Sequence, residues 1–210
     1  MNSIFVNMYP NILSPEQINI IPLIQNFKRE FYLVGGTAIA LQIGHRKSID
    51  FDLFKPAKLN TKRILDKINQ SKHQFTITRR VYEQLNLNIL SVKITFFEYP
   101  YPIETAVNFE GIRMPDLQTL AAMKAFALGR RSKWKDYVDL YFLLRDYLKI
   151  EDISSKAKII YGQEFSEKQF FAQLAFHKDI NYTEEVEYMP GYFVDEQEIK
   201  SFLIDQSLSI

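Results

Sequence analysis

Asp50-Phe51-Asp52 lies inside an apolar run, Ile49 to Phe54. In an extended strand, residues two apart point to the same side. Asp50 and Asp52 therefore aim both carboxylates at one place, and Ile49, Phe51, Leu53 and Phe54 read as their buried surroundings. Two carboxylates held together repel unless a cation lies between them, and an all-oxygen pair suits a hard divalent ion, Mg²⁺ or Mn²⁺. About one helix upstream, the apolar strand Phe31 to Val34 runs into Gly35-Gly36-Thr37. A glycine turn that opens a helix can present bare backbone N–H groups to a phosphate. Either feature alone is commonplace, since Gly-Gly usually marks a turn and Asp-x-Asp a solvated strand face. Their conjunction supplies what phosphoryl or nucleotidyl transfer requires: a metal, a phosphate cradle and strand carboxylates.

The elements that must position these groups are legible around them. Ser14-Pro15-Glu16 is a helix start, with Ser as N-cap and Pro in the first turn; that helix runs to about Arg29, with Pro22 predicting a kink or split. Thr37 to Ile43 reads as a helix ended by Gly44, and Ile49 to Phe54 as the strand of the carboxylates. Asn60 to Gln70 reads as a helix with Ile64, Leu65 and Ile68 inward; Phe75 to Val81, Leu87 to Leu90 and Ser91 to Tyr99 read as strands. Thr119 to Tyr147 reads as largely helical with a break near Gly129-Arg-Arg-Ser, its second part carrying Tyr137, Leu140, Tyr141 and Leu144 as a packing stripe. Residues 166–178 and 195–207 read as two further helices. The pattern is that of an α/β core followed by a helical lobe, which places the expected boundary at 1–115 for the core and 116–210 for a lobe completing the active cleft.

A second group of chemically capable residues lies in that helical half. Asp136 and Asp139 are three apart and share a helix face. Lys124 sits in the apolar stretch Leu120-Ala-Ala-Met-Lys-Ala-Phe-Ala-Leu, where a lysine is costly to bury without a partner. A structural ion pair between helices accounts for these residues as readily as a ligand contact does. Trp134 and Tyr137 read as packing residues that could also stack on a base, and His73 and His177 have no metal-spaced partners.

The quoted segments resemble the nucleotidyltransferase superfamily with a polymerase-beta-type core, and more narrowly the AbiEii/AbiGii toxin family. The narrower resemblance is carried by Val34-Gly-Gly-Thr-Ala, Gly44-His-Arg-Lys-Ser-Ile-Asp-Phe-Asp-Leu-Phe, Lys93-Ile-Thr-Phe-Phe-Glu-Tyr-Pro-Tyr-Pro, Ala121-Ala-Met-Lys-Ala-Phe-Ala-Leu and Lys135-Asp-Tyr-Val-Asp-Leu. These segments occur in family order over roughly residues 30 to 147, and the tail matches loosely. The resemblance implies a mixed sheet with flanking helices and Mg²⁺-dependent (or Mn²⁺-dependent) transfer of NMP from an NTP to a hydroxyl acceptor. It implies that Asp50 and Asp52 are the metal pair and that Gly35, Gly36 and Thr37 hold the triphosphate. Arg46 and Ser48, just after His45, would contact phosphate or nucleotide. Lys124 would meet the phosphates, with Asp139 or Asp136 holding it or acting at the centre, and Lys135 is grouped with the nucleotide contacts. The family's role implies a toxin with a cognate antitoxin and RNA, including tRNA 3′ ends, as acceptor. An aminoglycoside-type small-molecule nucleotidyltransferase and a catalytically silent nucleotide-binding partner are the competing readings. The second draws on a departure from the superfamily pattern: the strand position sharing a face with Lys93 is Thr95 where many relatives place a third carboxylate, and Glu98 falls on the opposite face.

Composition narrows the setting. The chain has 210 residues, 47% of them hydrophobic, and no cysteine, which excludes a disulfide framework or thiolate metal site and fits a reducing, cytoplasmic compartment. Met-Asn-Ser-Ile-Phe-Val lacks the basic start and apolar run of a signal peptide, and no stretch reads as a membrane span. Net charge is +1, but residues 55–80 hold Lys55, Lys58, Lys62, Arg63, Lys67, Lys72, Arg79 and Arg80 against Asp66 alone. Residues 179–205 reverse that balance, with Lys200 the one cation among acids. A basic stretch beside a phosphate-handling site could guide a nucleotide or an RNA.

Overall fold

The computed structural model describes residues 7–128 and 130–208. The terminal hexapeptide read against a signal peptide, and Gly129 of the expected helix break, lie outside the described residues. The chain forms two compact units, Met1–Asp116 and Leu117–Ile210.

In the first unit, helix α1 (Pro15–Gln25) is fixed by a capping box: Ser14 Oγ accepts from the Gln17 N–H at 3.2 Å, and Gln17 Oε1 accepts from the Ser14 N–H at 3.0 Å. Pro22 lies within the helix, which ends three residues later, short of the expected Arg29. The chain continues as β1 (Tyr32–Val34), α2 (Gly35–Ile43), β2 (Asp50–Lys55), α3 (Thr61–Gln70), β3 (Thr76–Val81), β4 (Gln84–Ile89) and β5 (Val92–Glu98). The five strands make one mixed sheet in the order β1-β2-β5-β4-β3. β2 and β5 run parallel, and the other neighbours are antiparallel.

Alternation along the strands separates the two faces of this sheet. Leu33, Phe51, Leu53, Ile94, Phe96, Leu85 and Leu87 are buried on one face, where Phe96 meets the rings of Phe27 and Phe31 edge-on at 4.8 and 5.2 Å. Full burial of such a side chain is worth about 1.5–3 kcal/mol, so this face anchors the sheet. The opposite face carries Asp50 and Asp52 beside Lys93 and Thr95, then Asn88 and Asn86 of β4. Two residues expected to be buried around the carboxylates are not: Ile49 is 64% exposed and Phe54 half-buried. Ile49 precedes the strand, and Phe54 shares the open face with Asp52. A separate hairpin, β6 (Val107–Phe109) and β7 (Ile112–Met114), turns at Glu110-Gly111, where Asn108 Oδ1 accepts from the Gly111 N–H at 2.7 Å.

The second unit is helical: α4 (Leu117–Leu128), α5 (Trp134–Asp146), α6 (Ile150–Tyr161), α7 (Glu167–Ala175) and α8 (Glu196–Leu208). The expected stripe on α5 is buried, together with Val138, Asp139, Phe142 and Leu143, so this helix is enclosed nearly all round. Ser166 caps α7 by accepting from the Gln169 N–H at 3.2 Å. Among the described residues no helix is long and apolar enough to cross a membrane.

Candidate active site

β1 delivers the chain into α2 through Gly35, whose φ of +74° is a conformation that residues with a Cβ rarely adopt. A methyl group there would collide with Asp52 Oδ2 and lie 3.2 Å from Asp52 Cγ. The backbone of the glycine turn thus lies directly against one carboxylate. The antiparallel pairing of Val34 with Asp52 explains why, since it seats the end of β1 beside that residue. At Gly36 an added methyl would collide with Arg46 Nη2 and sit 3.5 Å from Ser48 Oγ. Thr37 Oγ1 hydrogen-bonds both the Ser48 hydroxyl, at 2.8 Å, and the carbonyl oxygen of Asp50. No side chain caps the start of α2. Arg46 is buried and donates from Nη1 to the Lys47 carbonyl at 2.9 Å. The structure therefore gathers Gly35, Gly36, Thr37, Arg46, Ser48, Asp50 and Asp52 at one point, and Asp50 and Asp52 are half-buried there.

Gly44 closes α2 with φ +71° and lies against the Tyr9 ring, which a methyl group would approach at 2.6 Å. The Tyr9 N–H donates to the Leu41 carbonyl at 2.8 Å, so the helix behind the glycine turn is held at its far end as well.

On β5, Lys93 pairs with Asp50 and Thr95 with Asp52, while Glu98 pairs with Lys55 on the other face. Among the described residues no group of three or more His, Cys, Asp or Glu side chains could hold a metal. The row continues from Asp52 and Thr95 through Asn86 to Arg79 of β3. Sequence reading did not single out Asn86, although the alternation Gln84-Leu-Asn-Leu-Asn-Ile signals a polar strand face.

In the helical unit Lys124, Asp136 and Asp139 come together. Lys124 Nζ contacts Asp136 Oδ1 and lies 2.7 Å from Asp139 Oδ2; Lys124 is 5% exposed and both aspartates are 0% exposed. Arg131 Nε adds a contact to Asp136 at 3.1 Å. Burial opposes ionisation of Asp136, but Lys124 and Arg131 outweigh it and hold its carboxyl below the ordinary range. Lys135 and Lys133 both pair with Glu184. Burial again opposes ionisation, yet the two lysines hold the Glu184 carboxyl down to about 2. The pairing of Lys135 with Glu184 spans a long stretch of chain, and no local pattern announces it. Trp134 and Tyr137 are buried against each other, with ring centroids 6.4 Å apart. His177 Nε2 lies 2.7 Å from the Leu174 carbonyl, and His73 Nδ1 lies 3.0 Å from Ser71 Oγ.

A family profile described as "Nucleotidyl transferase AbiEii toxin, Type IV TA system" matches residues 23–201. An uncharacterised Aquifex aeolicus (strain VF5) protein, aq_aa25, is 36% identical over 129 residues, which are 56% of this chain and 59% of that protein. The chain thus matches less than two-thirds of that relative's length. JHP933 from Helicobacter pylori is similar in fold, with a TM-score of 0.55 at 19% identity over 93% of this chain and 91% of that one. MenT4, a nucleotidyltransferase toxin from Mycobacterium tuberculosis H37Rv, gives a TM-score of 0.57 at 12% identity over 85% and 74%. With the glycine turn against the Asp-x-Asp strand and the profile spanning most of the sequence, the chain belongs to the AbiEii nucleotidyltransferase toxin family.

Proposed function

We propose that the chain is a metal-dependent nucleotidyltransferase that transfers NMP from an NTP to a hydroxyl of an RNA acceptor such as tRNA. One observation carries this reading: the bare backbone of Gly35 abuts the Asp52 carboxylate while Thr37 is tied to Asp50. A phosphate cradle and a carboxylate pair therefore share one point. The donor set, two half-exposed carboxylates with hydroxyls beside them, fits a hard divalent ion of the Mg²⁺ or Mn²⁺ kind. Asp50 and Asp52 would hold that ion, which when bound offsets charge on the triphosphate oxygens and the leaving pyrophosphate. The first-turn N–H groups of α2 and the Thr37 hydroxyl would orient the β- and γ-phosphates, and Arg46 would add positive charge behind Gly36. The acceptor oxygen would then attack the α-phosphorus in line, forming a phosphodiester and releasing pyrophosphate.

The RNA assignment rests on the family and, within the basic stretch 55–80, on Arg79, which continues the strand row that contains Asp52. The same family membership supports a toxin role in the cytoplasm with a cognate antitoxin protein. Family resemblance also gives Lys124 a phosphate contact, with Asp139 or Asp136 holding it and Lys135 nearby. As folded, those residues engage one another and Glu184. A second reading, nucleotide binding without turnover, is favoured by Thr95 standing opposite Asp52 in place of a third carboxylate.

The test is incubation with Mg²⁺, each α-³²P-labelled NTP and total bacterial RNA, with Asp50→Ala/Asp52→Ala as control. Label on RNA from the unsubstituted protein alone, abolished by EDTA, is the expected result. Label on an added aminoglycoside instead would reassign the acceptor. NTP binding with no transfer to either would support the silent partner.

A further inference from the structure

On the face of the sheet away from Asp50 and Asp52, the turn after α1 and the exposed side of α3 enclose a groove of about 460 Å³. Its charged lining is Lys28, Arg29, Arg63 and Lys67 with a single carboxylate, Glu30. That carboxylate is already shared: Arg63 and Lys67 each approach it at 3.3 Å, and Lys55 approaches from the sheet at 3.7 Å. Lys55 alternates with Asp52 along β2, which places the groove behind the sheet. Five cations against one carboxylate leave four positive charges uncompensated within the cluster. Lys67 is held in place by the Asn26 carbonyl at 2.9 Å and by the Phe27 ring at 5.1 Å, so part of this charge is fixed before any ligand arrives. The guanidinium forks of Arg29 and Arg63 suit phosphate oxygens. The volume is roughly fifteen times a water molecule's share of the liquid, room for more than one phosphate.

We propose that this groove is a second anion site, separate from the carboxylate site, that takes a run of phosphates as carried by an RNA backbone or a free polyphosphate. The inference does not depend on nucleotidyl transfer, because the groove's residues are on the opposite face of the sheet from the carboxylates.

The experiment uses the full chain carrying Asp50→Asn/Asp52→Asn, in EDTA, so that neither turnover nor metal-bound nucleotide contributes. Binding of a fluorescently labelled single-stranded RNA and of sodium triphosphate is measured across salt concentrations. Lys28→Gln/Arg29→Gln is compared with Lys168→Gln/Lys178→Gln, which removes the same charge from the helical unit. All four positions are exposed, and thermal melts verify that each variant is folded. The expected result is RNA affinity about tenfold weaker for the groove variant at 0.1 M salt, with the salt slope reduced by about 1.4, two phosphate contacts' worth. A loss confined to triphosphate supports the site and names free polyphosphate as its ligand. No binding of either ligand, no loss in the groove variant, or an equal loss in both variants overturns the proposal.

Discussion

At Gly35 two separate demands meet: a left-handed backbone and a neighbouring carboxylate that leaves no space for a methyl group. Gly35→Ala should therefore cost about 1–2 kcal/mol of stability from the backbone alone. It should also displace Asp52, so turnover measured beside a thermal melt should fall by more than the melt explains. Lys124 makes the opposite kind of demand, a buried charge that two aspartates must balance. Removing one partner of such a group typically costs about 3–5 kcal/mol, and Lys124→Met should show a loss of that size in urea unfolding. An unchanged midpoint would mean that the aspartates are neutral in the fold. The carboxylate pair was legible because strand alternation is a rule of geometry, so Asp50 and Asp52 had to share a face wherever the strand lay. Glu184 was not legible as the partner of Lys133 and Lys135, since local sequence carries nothing about which distant carboxylate meets which lysine.

Local chemistry determined most of the elements. The Ser14 cap with Gln17, Asn60 before α3 and Ser166 before α7 each satisfy an N–H that the following helix leaves open. Ser14→Ala should lower stability by about 1 kcal/mol, measurable as a shifted urea midpoint with unchanged slope. Where such signals are missing, the elements escaped notice. α6 follows Lys149 rather than a serine, threonine or aspartate, and its interior carries the pair Ser154-Ser155. The strands of the β6–β7 hairpin have three residues each, too few for alternation to register. Ile49 was read as buried because it is apolar, yet it lies outside the strand whose pleat would have turned it inward.

Over the molecule as a whole, charge pairing sets how stability depends on pH. Asp136 and Glu184 have carboxyls held below their ordinary values of 3.8 and 4.5. The folded chain therefore keeps both ionised at pH values where the unfolded chain takes up protons. Their contribution is present in full above about pH 5 and is lost as pH falls through 4.5 toward about 2, where Glu184 protonates in the fold. Glu184→Gln should flatten this acid limb, as followed by melting temperature against pH. A limb that is unchanged would place the lost pairing elsewhere.

Trp134 is the single tryptophan of the chain, and it stands where the 179–184 segment crosses the start of α5. Its backbone N–H donates to the Asn181 carbonyl at 3.0 Å, and its ring faces Tyr182 at 5.6 Å. Glu184 pins Lys133 and Lys135 on either side of it. The protein thus carries its own optical probe: Tyr182 lies two residues from Glu184, so a ligand that draws either lysine away from Glu184 is expected to shift the tyrosine beside the indole. A change in the emission of that one residue on titration with ligand is the expected signal, and an unchanged spectrum would mean that the Glu184 pairs stay closed.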